Sequence, residues 1–181
     1  IAGGGTGGHL MPGLALAEEI RMRYPFADIL FVGSESGIEK DIVPKHGHKL
    51  ILLPDVRMKG GLKGKLRALA KLPGSLMRAR TMLIEFKADV VIGLGGYASF
   101  APLVAAWWLK IPSCLMEQNA IPGRTNRLLS RFVLKVYNQF GDAANHFPTP
   151  KKCETIGNPL RRPIVNALPE RPRRRNPMRP P

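Results

Sequence analysis

Cysteine is nearly absent. Cys114 and Cys153 are the only two in 181 residues, and they lack the spacing of metal ligands. They read as reduced thiols of a cytoplasmic protein, with a disulfide between them as the alternative. No apolar run approaches the roughly 20 residues that a membrane-spanning helix needs. No charged stretch leading into an apolar one opens the chain, so no secretory signal is visible. Acids are few, 13 against 28 lysines and arginines. Aromatic residues make up 7% and do not interleave with the basic stretches. The stacking platforms of single-stranded nucleic-acid readers are therefore missing, no reader motif is present, and a specific nucleic-acid partner is not expected. No internal repeat of 20–50 residues occurs.

What is present is an ordinary globular composition, 44% hydrophobic and 23% charged, with enough length for one domain with its own core. The net charge of +15 is concentrated. Residues 57–80 hold eight basic residues and no acid; residues 161–181 hold seven arginines and only Glu170. Such clusters suit a local anionic partner, a membrane surface or a phosphate. The alternative is a solvated helix face and a disordered tail, and the Pro/Arg-rich tail is read that way.

Short apolar runs alternate with helix-period segments. The runs are Ile29–Gly33, Lys49–Leu53, Asp89–Leu94, Pro112–Met116, Phe132–Tyr137 and Cys153–Ile156; the segments are His9–Arg23, Gly37–His46, Leu62–Phe86, Ser99–Leu109 and Gly123–Ser130. Apolar runs without polar alternation suit strands covered on both faces, and strand–helix alternation predicts βαβ units in a parallel α/β sheet. Ligands are then expected at the loops leaving the strands. The first strand is expected to be truncated to Ile1 and Ala2, with the domain over residues 1–160 and a linker or disordered tail over 161–181.

Three stretches carry chemistry. Gly3 to Gly8 (GGGTGG) matches G-x-G-x-x-G at Gly3, Gly5 and Gly8, between a strand remnant and a helix. Free amides at that helix start bind anions, phosphate or diphosphate above all. The alternatives are a turn with no ligand, or a dinucleotide site of an oxidoreductase with Glu35 as its loosely placed acid. His9 follows; near a helix start its imidazolium is disfavoured, and a neutral imidazole can act as general base. A capping or core histidine is the alternative. The second stretch, GLGGYASFAP from Gly93 to Pro102, offers the amides of Gly95 and Gly96 and the hydroxyls of Tyr97 and Ser99; Tyr97 is alternatively a packed ring. In the third, Met116 to Arg127 (MEQNAIPGRTNR), Glu117, Gln118 and Asn119 suit sugar hydroxyls or an amide. Glu117 rivals His9 as base, or the loop only caps a helix.

The basic segment places Leu62, Leu66, Leu69, Leu76 and Leu83 at near-helical spacing, broken at Pro73-Gly74, with Lys71 and other cations between them. It reads either as two core-facing helices with solvated lysines or as an amphipathic surface on an anionic membrane.

The motifs GGTGGHLMP, GLGGYASFAPLVAA, EQNAIPGRTNRLLSR and GNPLR together resemble, in order from Ile1 to about Arg161, the N-terminal half of the MurG family of bacterial transferases, glycosyltransferase family 28. The resemblance implies the Rossmann-like N-terminal domain of a GT-B fold. It implies inverting transfer of GlcNAc from UDP-GlcNAc to the C4 hydroxyl of undecaprenyl-diphospho-MurNAc-pentapeptide, converting lipid I to lipid II in peptidoglycan synthesis. By resemblance, Thr6, Gly7, Gly8, Asn119 and Arg161 contact the sugar nucleotide. Gly5, Gly95, Gly96, Tyr97 and Ser99 serve the acceptor diphosphate, with His9 as base and Glu117 second. Leu62, Leu66, Leu69, Lys71 and Leu76 fall where a peripheral membrane patch is expected, on the cytoplasmic face of the inner membrane. Other cell-wall synthesis proteins are implied partners; no metal or cofactor is expected. Met116 stands where the family usually has histidine, and the C-terminal, sugar-nucleotide-binding domain is expected to lie outside these residues, leaving the chain inactive alone.

Overall fold

The computed structural model describes residues 1–54 and 61–167. Seven strands form one sheet in which every neighbouring pair is parallel. They are β1 (Ala2–Gly3), β2 (Leu30–Ser34), β3 (Lys49–Leu53), β4 (Val91–Gly95), β5 (Ser113–Glu117), β6 (Lys135–Asn138) and β7 (Cys153–Thr155), in the spatial order β3-β2-β1-β4-β5-β6-β7. The helices are α1 (Gly7–Arg23), α2 (Glu39–Lys45), α3 (Gly61–Glu85), α4 (Phe100–Trp108), α5 (Arg124–Leu129) and α6 (Arg162–Ala167). This is the expected Rossmann-like, doubly wound α/β sheet.

Side-chain alternation builds the layers. On β2, Leu30 and Val32 enter a cluster with Ala79, Met82 and Leu83 of α3, Leu103 of α4 and Leu129 of α5. Phe31, pointing the other way, packs with Leu10 and Leu14 of α1 and Val43 of α2. Successive strand residues face opposite sides, so one short run feeds two cores.

Two elements differ from the sequence expectation. The segment expected as two helices over Leu62–Phe86 is one helix, Gly61–Glu85, and Pro73 lies inside it. An internal proline costs about 3 kcal/mol, but Ala68, Ser75, Ala79, Met82 and Leu83 are all buried. That stripe continues at helical spacing through the proline, so packing holds the helix across it. The second difference is α6, an exposed helix of six residues within the stretch expected to be a structureless tail. Residues 168–181, the rest of that stretch, and Arg57 and Lys59 lie outside the described residues, as do the side chains of Leu62, Lys63, Lys65 and Arg67. Cys114 and Cys153 are both free thiols. Among the described residues no helix is long and apolar enough to cross a membrane.

Candidate active site

The strand order reverses between β1 and β4, and a crevice opens beyond the carboxyl ends of strands at such a point. The first glycine loop leaves β1, the second leaves β4, and the Glu117 loop leaves neighbouring β5. Topology thus gathers all three predicted stretches at one edge.

The first loop is held from below by a residue that the sequence reading passed over. Glu39, at the start of α2, is buried. Its Oε2 accepts from the Gly5 amide at 2.8 Å, and its Oε1 accepts from the Ser34 amide at 2.7 Å and the Ser34 hydroxyl at 3.1 Å. A side chain on Gly4, Gly33 or Gly37 would collide with this carboxylate. The Gly5 amide is therefore occupied. The amides of Gly7 and Gly8, by contrast, open α1 with no acceptor among the described residues, as the first amides of a helix do. Glu35, the candidate dinucleotide acid, is exposed in the turn after β2.

His9 stands on the first turn of α1, its Nδ1 3.0 Å from Thr6 Oγ1. Burial pushes its pKa below the ordinary histidine value, and the Glu117 carboxylate pulls weakly the other way. Burial, rather than the helix end alone, thus favours the neutral ring. His9 also reaches the second loop. A Cβ built on Gly95 would lie 3.0 Å from His9 Cδ2 and 2.7 Å from Asn126 Nδ2, and Gly95 has φ +98°. Close approach and backbone conformation both require glycine there.

Ser99 is fully buried and donates its hydroxyl to the Gly96 carbonyl at 2.8 Å. It braces the loop, which corrects the expectation of a free hydroxyl for ligand. Tyr97 is 43% exposed, at the edge of the crevice.

Glu117 ends β5 and is buried. Oε1 accepts from the amide and Nδ2 of Asn119 at 2.9 and 2.8 Å; Oε2 accepts from Asn126 Nδ2 at 2.7 Å and the Gly123 amide at 3.3 Å. Four donors converge on one carboxylate, and Gly123 is the N-cap of α5. The geometry fits a clamp that shapes the loop and caps the helix. Asn126, missed by sequence reasoning, links this clamp to Gly95. Its Oδ1 is buried without a partner. Met116 is buried, consistent with an apolar group in its place.

Other predicted residues lie apart. Arg161 pairs with Glu18 of α1, 3.1 Å away. Leu66 and Leu69 are exposed, but Leu76 packs partly against the core and leaves the predicted membrane patch. Trp107 and Trp108, unremarked in the sequence reading, are each 56% exposed at the end of α4, and the Arg80 guanidinium lies 5.5 Å over the Trp108 ring.

Residues 1–138 match the glycosyltransferase family 28 N-terminal domain. The chain belongs to glycosyltransferase family 28. A curated relative from Myxococcus xanthus, named UDP-N-acetylglucosamine--N-acetylmuramyl-(pentapeptide) pyrophosphoryl-undecaprenol N-acetylglucosamine transferase, is 47% identical over 92% of this chain and 43% of its own length. The relative of the same name from Syntrophus aciditrophicus is 47% identical over 93% of this chain and 47% of its own length. The chain thus spans a little under half the length of the curated relatives it matches. Among solved structures, Acinetobacter baumannii MurG superposes with a TM-score of 0.71 at 26% identity, covering 87% of this chain and 44% of that one. Anabaena HepE in complex with UDP and glucose superposes at 0.55 with 17% identity, over 84% of this chain and 41% of its own, a likeness of fold. Membership in family 28 removes the oxidoreductase alternative.

Proposed function

We propose that this chain forms the acceptor wall of an inverting transferase that moves GlcNAc from UDP-GlcNAc to the C4 hydroxyl of a lipid-linked muramoyl sugar in peptidoglycan synthesis. The observation that carries this reading is the convergence of His9, Gly95 and Asn126 at the strand-order switch, beside the unoccupied amides of Gly7 and Gly8. The acceptor diphosphate suits the backbone of Gly95 and Gly96, and the open amides of Gly7 and Gly8 are left for the sugar nucleotide. Thr6, Gly7, Gly8 and Asn119 face the sugar nucleotide across the cleft. Arg161 joins them only after parting from Glu18.

His9 is the base. When Nδ1–H donates to Thr6 Oγ1, Nε2 keeps its lone pair for the acceptor hydroxyl. The proton passes to Nε2 as the acceptor oxygen bonds the anomeric carbon and the bond to UDP breaks. Glu117 is a positioning residue, its oxygens occupied by Asn119, Gly123 and Asn126. Leu66, Leu69 and Lys71, with Trp108 and Arg80 alongside, dock the protein peripherally on an anionic membrane face.

The test joins this chain to the C-terminal half of the Myxococcus xanthus relative and assays GlcNAc transfer to a lipid I analogue. The chimera is expected to turn over, and His9→Ala to lower kcat at least about 100-fold, the range of general acid–base catalysis. A chimera indifferent to that change would remove His9 from the chemistry.

A further inference from the structure

Glu117 has every oxygen engaged, and the next side chain has the opposite fate. Gln118 is the first residue beyond β5. Both ends of its amide, Oε1 and Nε2, are buried with no hydrogen-bond partner among the described residues. Asn126 and Asn138 each leave a buried oxygen unpartnered too, but both are anchored through Nδ2. Gln118 has no such anchor. Unpaired buried polar atoms cost stability, and an apolar side chain of the same length avoids that cost. Departures of this kind collect at functional sites.

The sheet decides which side the amide serves. Gly93 and Leu115 are register partners, and a Cβ on Gly93 would meet Leu115 and Leu103 of α4. Leu94, one residue on, meets Gly13 of α1 on the opposite face. Side chains alternate along a strand, so Leu115 and Glu117 share the face of α4 and α5. Met116 and, one step past the strand, Gln118 fall on the face of α1, the helix that opens with the amides of Gly7 and Gly8. The chemistry of the partner follows from the two ends. A primary amide offers N–H donors and a carbonyl acceptor. A phosphate has acceptors alone and would leave Oε1 unpaired. A 2-acetamido sugar has a carbonyl acceptor, hydroxyl donors, and a methyl group that suits the apolar neighbour Met116. We infer that Gln118 reads the acetamido group of a substrate sugar. Nε2 donates to the acetyl oxygen and Oε1 accepts from a hydroxyl of the same sugar. This rests on the transfer reaction proposed above, in which the transferred and the accepting sugar both carry that group. The residue as a whole is half-buried, and turning about its own torsions carries the amide into the crevice.

Two measurements test this, one on the chain and one on the chimera. Gln118→Met keeps the length of the side chain and removes both unpaired atoms. In the 181-residue chain its urea midpoint is expected to equal or exceed that of wild type. A clearly lower midpoint would mean that the amide is already satisfied within the fold, and would overturn the inference. In the chimera, kcat/KM is compared for UDP-GlcNAc against UDP-glucose, and for a lipid I analogue against one with a 2-hydroxyl in place of its acetamido group. Gln118→Met is expected to lower the preference for the acetamido substrate about fivefold in one of these two pairs, the worth of one neutral hydrogen bond. The pair that responds identifies which sugar is read. Gln118→Glu, which keeps an acceptor and loses the donor, is expected to lower the same preference. Preferences unchanged in both pairs, even with all rates reduced, would make Gln118 a structural residue and overturn the inference while sparing the transferase reading. A wild-type chimera with no GlcNAc transfer would overturn that reading and the inference with it.

Discussion

Glu117 and Glu39 show how a buried carboxylate can be structural inside a site. Each accepts several donors, backbone amides and side chains together. A glutamine has one acceptor oxygen, so its amide must face a donor. Glu117→Gln is expected to destabilise the fold by about 1–3 kcal/mol, the cost of leaving buried polar groups unpaired, as measured by the urea midpoint of unfolding. A midpoint equal to wild type would mean that the clamp is dispensable. His9 calls for a different test. Thr6→Val removes the partner of Nδ1 while keeping the shape of the side chain. In the chimera it should lower kcat by disturbing the ring's orientation, with any change in KM confined to UDP-GlcNAc, which Thr6 faces. A change confined to KM would place Thr6 in binding alone. Burial lowers the pKa of both His9 and His48, so the unfolded chain holds more protons at mildly acid pH. Stability that is complete above the ordinary histidine value of about 6.5 is then lost as pH falls below it. The urea midpoint should drop between pH 7.5 and pH 5.5, and His48→Gln should flatten that drop. An unchanged slope would clear His48 of the effect.

Among the elements, strands and loops were legible and their supports were not. Short apolar runs marked the strands to within about three residues, because a strand covered on both faces reads as an apolar run; the edge strand β7 is the exception, partly exposed and polar. The three loops were legible because glycine and clustered polar residues have few other uses at strand ends. Glu39 was hidden because its role depends on α2 folding back beneath Gly4 and Gly5, contacts over more than 30 residues that no local pattern records. Asn126 was hidden in the same way, inside a helix turn that reads as ordinary. Pro73 misled because local propensity argues for a break, whereas the buried stripe from Ala68 to Leu83 is a tertiary fact. That stripe also sorts the leucines of α3. Leu76 turns inward, while Leu66 and Leu69 are 59% and 52% exposed; Lys71 is exposed as well, on another side of the helix. Leu69→Glu or Lys71→Glu should therefore weaken binding to vesicles containing anionic lipid, and added salt should weaken wild-type binding. Leu76→Ala should act on stability instead. Vesicle binding unchanged by both charge reversals would detach α3 from the membrane.

For the whole molecule, the site occupies one edge of a single sheet, and apart from Arg161 the residues argued to touch a substrate lie in the loops and first helical turn at that edge. A transfer reaction needs two substrates held in line, with the attacking oxygen within about 3–3.5 Å of the anomeric carbon. On the proposed reading, one wall with His9 as base and a diphosphate cradle binds an acceptor but leaves the sugar nucleotide without fixed orientation. The 181-residue chain mixed with UDP-GlcNAc and a lipid I analogue is therefore expected to give no measurable lipid II, and to bind UDP-GlcNAc far more weakly than the chimera does. The ion pairs Arg161–Glu18 and Arg162–Glu19 tie the start of α6 to α1, so Arg161 is engaged with Glu18 in this structure. Glu18→Gln should free Arg161. In the chimera it should lower KM for UDP-GlcNAc if Arg161 joins the sugar nucleotide during the reaction. It should leave KM untouched if Arg161 serves only to dock α6. Product formed by the chain alone would show that one wall suffices, and the division of labour proposed for this fold would have to be abandoned.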